Sequence, residues 1–326
     1  YPVHRIRWTP HHRFFRFRAR PQLAARIDEI RPDALMERYY NFGGEGILAA
    51  AAAGVPSLLE VNSPVVDHKG SLKGAIDAAL LARPMRRYRE TLVAKTSALI
   101  SPLREIVPEA ARERTHVVTW GANVEAFHPS RRSTARRESW GAKPDDFVVL
   151  FSGSHRPWHG VDNLIAAARL LRERRDIVFI FAGGDRKGPG EGLGGRFLGR
   201  VPYSEMPEVT ASADLSVAPY DRSRLASLAL GFFWSPLKIF EALASGVPVV
   251  TLDIPPLNDI VRLDQEGRFC KENDPEDLAR VVAGLADDRA TCRRLGEAAR
   301  ARAPRYSWAA HAAEIERILE GLVLRS

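Results

Sequence analysis

The chain has 326 residues, of which 45% are hydrophobic and 27% charged. That length suggests two domains, and the balance excludes whole-chain disorder. No apolar run approaches the ~20 residues that cross a bilayer. Two cysteines, Cys270 and Cys292, exclude a disulfide scaffold and a cysteine-based zinc cluster, and reduced cytosolic thiols fit them best. The net charge of +8 favours an anionic partner without naming one. Only seven of the 48 basic residues are Lys, a bias that a GC-rich genome also produces.

Tyr1 to Arg20 interleaves arginines with Trp8, Phe14 and Phe15. Such a pattern suits a membrane surface or single-stranded nucleic acid, or simply a solvated arm. From residue 22 the chain alternates. Gln22 to Ile30 reads as a helix, Asp33 to Glu37 as a strand, Gly43 to Ala53 as an Ala-rich helix and Ser57 to Val61 as a buried strand. A long helical pattern covers Ser71 to Lys95. A strand at Ser97 to Ile100, a helix at Leu103 to Ala111 and a strand at His116 to Thr119 follow.

Polar, irregular residues between Asn123 and Asp145 break the rhythm. The domains are set at 1–128, a partial N-terminal Rossmann-like domain, and 129–306, a C-terminal Rossmann-like domain. Strands at Phe147 to Ser152, Ile177 to Ala182, Arg196 to Arg200, Leu215 to Ala218 and Pro248 to Leu252 alternate with helices at Val161 to Arg172, Met206 to Ala211 and Pro236 to Ala244. Helices at Pro275 to Leu285 and Ala290 to Ala303 follow. The last helix, Trp308 to Leu322 within residues 307–326, is expected to pack back on the N-terminal domain. The fold class is α/β, with doubly wound parallel sheets.

Open parallel sheets bind ligands beyond the carboxyl ends of their strands. Gly153, Ser154, Arg156 and His159 lie in such a loop, before a helix whose free N–H groups suit an anion. Gly183 and Gly184 end the next strand. The sharpest stretch is Ser235-Pro236-Leu237-Lys238-Ile239-Phe240-Glu241, with Ser235 as N-cap and Pro236 as first helical residue. Lys238 then stands in the first turn, where the helix dipole disfavours a cation. A docked diphosphate would repay that cost, and Glu241, three residues on, would accept from vicinal hydroxyls. A plain surface Lys–Glu pair is the competing reading. No Asp-x-Asp pair, helical His-x-x-x-His or Gly-x-Ser-x-Gly occurs, so a carboxylate-held metal, a zinc site and a nucleophile elbow are not expected.

Together these residues resemble the family-4 retaining glycosyltransferases, of GT-B fold, in the variant reading Ser-Pro-Leu-Lys-x-x-Glu. Trp158-His159-Gly160-Val161-Asp162, Ala218-Pro219-Tyr220, Gly54-Val55-Pro56 and Glu60-Val61-Asn62-Ser63-Pro64 carry the likeness, which covers roughly residues 33 to 320. The resemblance implies two Rossmann-like doubly wound domains facing across a cleft, and sugar transfer from a nucleoside diphosphate with retention. Arg156, His159, Lys238 and Asn62 are its implied catalytic groups. Gly153, Ser154, Arg200, Val201, Ser235, Pro236, Leu237 and Glu241 are its implied donor contacts, with Glu60 and Arg38 on the acceptor side. The diphosphate would meet the backbone at Leu237 and Lys238.

The sequence also departs from that family. Phe233 replaces its first acidic residue, Ser154 and His159 replace its loop Arg and Lys, and Asn62 replaces an N-terminal His. Arg156, Lys238 and a protonated His159 would supply the charge instead. No cofactor or metal is expected. The partners expected are a nucleotide-sugar donor and an unidentified acceptor, with no nucleic acid. The location expected is cytoplasmic, with peripheral contact at the inner membrane face admitted by the basic arm. A GT-B epimerase or hydrolase and a non-catalytic basic binder are the rivals.

Overall fold

A computed structural model describes residues 16–40, 43–64, 82–190 and 192–325. Most of the basic arm and the first part of the long helix Ser71 to Lys95 lie outside the described residues. The described chain forms two compact units. One comprises the residues up to Thr119 together with Ala312 onward, and the other comprises Trp120–His311.

In the first unit, β1 (Leu35–Arg38), β2 (Ser57–Glu60), β3 (Ala98–Ser101) and β4 (Thr115–Val117) form a parallel sheet in that order. The helix Glu45–Ala52 crosses from β1 to β2. Its start is held by Glu37, whose carboxylate accepts the N–H groups of Gly44 and Ile47, each at 2.9 Å. One face of the sheet packs Leu58, Ala98, Ile100 and Val118 against Ile318 of the last helix. Ile27, Ala49 and Ala50 form the cluster that includes Leu35 on the other face. The central strands β2 and β3 are covered on both faces and read as short apolar runs.

The second unit holds seven strands in the order β11-β10-β9-β5-β6-β8-β7. They are β5 (Phe147–Ser152), β6 (Ile177–Ala182), β7 (Lys187–Gly190), β8 (Gly195–Gly199), β9 (Leu215–Val217), β10 (Val249–Leu252) and β11 (Gly267–Cys270). Only β7 runs antiparallel, at the edge, where Pro189 is tolerated. β5 and β6 are buried along their whole length.

Four expectations shift. The helix expected over Leu103 to Ala111 is instead two 3-10 turns, Arg104–Ile106 and Glu109–Arg114, parted by extended Val107 and Pro108. Proline offers no N–H to continue a helix. β7 and β11 were not foreseen, since Lys-Gly-Pro-Gly and Gly-Arg-Phe-Cys carry no apolar run. The division between units falls after Thr119 and after His311, not after residues 128 and 306. Residues 120–128 are tied to the second unit by the backbone bonds Ala122 N to Tyr306 O and Trp308 N to Ala122 O, at 2.8 and 3.2 Å. Finally, the helix of the Ser235 motif spans Leu237–Ala244, with Pro236 as its N-cap and no side-chain cap. The Ser235 hydroxyl instead accepts the N–H of Trp120 at 2.9 Å.

Candidate nucleotide site

The candidate site lies within the second unit, where β5 and β9 end. β5 leads into Gly153, whose φ of +133° suits only glycine. The chain then passes Ser154 to Arg156, a 3-10 turn at Pro157–His159, and Gly160. A Cβ on Gly160 would lie 1.6 Å from the Pro219 carbonyl oxygen, so the loop after β5 rests directly on the residues after β9. The Asp221 N–H donates to the Trp158 carbonyl at 3.0 Å. The Trp158 ring stacks on Trp234, with centroids 5.7 Å apart.

This clasp brings Gly153, His159 and Lys238 together. Lys238 Nζ lies 2.9 Å, and His159 Nδ1 3.6 Å, from the point where a Gly153 Cβ would stand. The ammonium is fully covered and has no hydrogen-bond partner. It rests on the faces of Phe151 and Tyr220, 4.4 and 5.3 Å from their centroids. Burial pushes its pKa down to about 7, and Glu241 pulls the other way. The N–H of Leu237 donates to the Ser235 carbonyl at 2.9 Å, while that of Lys238 has no acceptor among the described residues. Of the two backbone groups expected to meet a diphosphate, only the second is unengaged.

Glu241 is buried one turn on. Burial raises its pKa to about 7, opposed by a hydrogen bond from the Tyr203 hydroxyl and by Lys238. Tyr203 is itself pushed up to about 12 by desolvation and by Glu241. The surface-pair reading of Lys238 and Glu241 therefore fails, because both charged ends are out of water.

His159 is expected to be protonated beside a diphosphate, and in the protein alone its surroundings favour the neutral form. Its Nδ1 lies 2.6 Å from the Ser154 carbonyl and 3.2 Å from that residue's hydroxyl. A carbonyl only accepts, so Nδ1 carries the proton. Burial first, and then Lys238, push the pKa down to about 4. His159 is neutral at pH 7 and adds no positive charge in this state.

The other expected residues are scattered. Arg156 is exposed, its guanidinium 5.1 Å from the Trp158 centroid. Arg200 pairs with Asp185 at 3.0 Å with both side chains in solvent, a contact worth little. Val201 and Leu237 are half-buried and Pro236 is buried. In the first unit, Arg38 and Glu60 are register partners at the ends of β1 and β2. Asn62 follows, its Nδ2 covered and unpartnered. Sequence reasoning passed over Tyr203, Trp234 and the ring of Phe151. The aromatic run Phe232-Phe233-Trp234 beside the Lys238 motif was the available signal for Trp234. Phe233 is buried against Trp234, with centroids 4.9 Å apart.

The family model described as "Glycosyl transferases group 1" matches residues 133–302, a segment that contains Gly153, His159, Lys238 and Glu241. The chain belongs to the group 1 glycosyl transferases. It is 31% identical over 242 residues to a D-inositol 3-phosphate glycosyltransferase of Nocardia farcinica, a match covering 69% of this chain and 51% of that protein. It is 32% identical over 226 residues to one from Corynebacterium glutamicum, covering 64% and 51%. The chain thus spans about half the length of these curated relatives. Among solved structures, sucrose-phosphate synthase from Thermosynechococcus elongatus matches with TM-score 0.68 and 18% identity, covering 98% of this chain and 81% of that one. Anabaena Alr3699/HepE, solved with UDP, matches with TM-score 0.70 and 19% identity, covering 93% and 82%. These likenesses show the fold: the α/β architecture of GT-B group 1 glycosyl transferases, as expected from the sequence. Among the described residues, no helix is long and apolar enough to cross a membrane, and no three His, Cys, Asp or Glu residues gather as a metal site.

Proposed function

We propose that this group 1 glycosyl transferase moves a sugar from a nucleoside-diphosphate sugar to an acceptor with retention of anomeric configuration, a hexosyl group being the expected cargo. The observation that carries this reading is the covered, unpartnered Lys238 ammonium beside the unengaged Lys238 N–H, at the start of a helix. A buried cation with no hydrogen-bond partner, helped only by the charge of Glu241, is costly in the protein alone. An anion docked there would offset the cost, and the affinity would be greatest for a group carrying two charges. As the bond to the sugar breaks, negative charge grows on the diphosphate, and a preorganised cation and N–H stabilise that state more than the ground state. Protein groups, and no resident metal, would meet the leaving group. Glu241, ionised, would accept the ribose hydroxyls. Arg200 and Val201 would lie near the base, and Asn62, Glu60 and Arg38 would serve the acceptor.

The names of the relatives make D-inositol 3-phosphate one acceptor to try, among glycans, lipid-linked and other small-molecule acceptors. The test is calorimetric titration with UDP, GDP and ADP and their sugar conjugates. One of the three should bind, and Lys238→Ala and Glu241→Ala should each weaken it about tenfold or more without unfolding the domain. No binding by any of the three, or equal affinity in both variants, removes the site. Release of free sugar or an epimer without acceptor would favour the hydrolase or epimerase reading. The anomeric configuration of the product, read by NMR, decides retention.

A further inference from the structure

The two nitrogens of His159 have different surroundings. Nδ1, the nitrogen beside Gly153 and Lys238 Nζ, is committed to the Ser154 carbonyl at 2.6 Å. Nε2, across the ring, has no hydrogen-bond partner among the described residues, and it is not among the covered unpartnered atoms. The ring is held edge-on by Trp158 and by Tyr220, with interplanar angles of 83° to each. Because Nδ1 carries the proton, Nε2 presents a fixed lone pair.

A lone pair is the wrong chemistry for a phosphate oxygen and the right chemistry for a hydroxyl. We propose that His159 is a specificity-determining residue that reads the transferred sugar: Nε2 accepts a hydrogen bond from a sugar hydroxyl, while Lys238 meets the diphosphate. This deepens the proposed function and rests on it. In a sugar nucleotide the sugar follows the diphosphate, and along the imidazole Nε2 follows the edge that abuts the Lys238 corner. The charged and titratable groups facing the ring support the neutral form. Lys238 on the helix Leu237–Ala244, and Arg156 and His155 on the loop after β5, all oppose a further positive charge. Tyr220, after β9, brings an aromatic edge and no carboxylate.

The experiment titrates the whole chain with the nucleoside diphosphate it binds, and separately with the matching glucose or mannose conjugate, for wild type, His159→Ala, His159→Gln and His159→Lys. The inference expects His159→Ala to weaken the sugar conjugate roughly tenfold while the nucleoside diphosphate stays within about twofold. His159→Gln, which offers a carbonyl acceptor, should restore most of the loss, and His159→Lys should not. An equal loss for both ligands that His159→Lys repairs would overturn it and return His159 to the phosphate. No change for either ligand would also overturn it. A wild type that binds none of UDP, GDP or ADP would instead sink the nucleotide site itself, and this inference with it.

Discussion

Lys238 Nζ stands 2.9 Å from the place a Cβ on Gly153 would occupy. The helix start and the loop after β5 therefore share one small volume, with the ammonium against the backbone. Gly153→Ala asks a side chain to adopt a φ of +133° and to push on the lysine. The expected cost is about 1–3 kcal/mol of stability, with weaker nucleotide affinity. Thermal unfolding and calorimetry of the variant check both. Wild-type affinity would show that the close approach does not constrain the lysine.

Lys238→Met removes a cation that the fold covers without pairing. The folded pKa of Lys238, about 7, lies below its ordinary value of 10.5. Between those values the unfolded chain binds more protons, so this residue makes stability rise with pH across that window. The variant should lack that rise. It should unfold no earlier than wild type at pH 7, and bind nucleoside diphosphate at least about tenfold more weakly. A lower unfolding temperature at pH 7 would mean that the ammonium stabilises the fold.

The parts legible in the sequence are those held by local pattern. Phe147–Ser152 and Ile177–Ala182 read as buried strands because nearly every residue in them is apolar. The helix ending at Ala244 was bounded by its own Pro and Gly. Proximity of Lys238 to a phosphate-type loop was legible through the resemblance. Its covering was not, because Phe151 comes from β5 and Tyr220 from the segment after β9, and only the folded sheet sets them over it. The neutrality of His159 without a ligand was not legible either, since desolvation and the Lys238 charge are tertiary facts. Ser235 misled because a good capping residue was claimed by a backbone N–H distant in sequence, that of Trp120.

Trp234 links the Lys238 segment to Trp158 and so to His159. Removing the ring frees the loop after β5 from the segment before the helix. Trp234→Ala should cost about 2 kcal/mol, and Trp234→Phe should retain most of the contact. The unfolding temperature of the whole chain measures the difference. If alanine is neutral, the stack is incidental and the Gly160–Pro219 contact and the Asp221–Trp158 backbone bond hold the loop.

Tyr203 acts on the opposite end of the site. Its hydroxyl donates to Glu241 and favours the ionised carboxylate against burial. Tyr203→Phe keeps the ring against Phe127, 5.8 Å away, and deletes only that donor. The pKa of Glu241, raised to about 7 in wild type, should then rise further. The ionised carboxylate accepts from both ribose hydroxyls, whereas the protonated acid keeps one carbonyl acceptor, so affinity grows as pH rises through this pKa. Removing the donor should move the acid limb of nucleotide affinity to higher pH, with weaker binding at pH 7, while deprotonation of Lys238, whose own pKa is about 7, sets a falling alkaline limb that the variant leaves in place. Titrations from pH 5.5 to 8.5 follow the acid limb. An acid limb in the same place in both proteins would mean that Glu241 does not receive the ribose, or that the Tyr203 hydroxyl does not tune it. Glu241→Gln separates the two, because it abolishes the limb only if the carboxylate is the group that titrates.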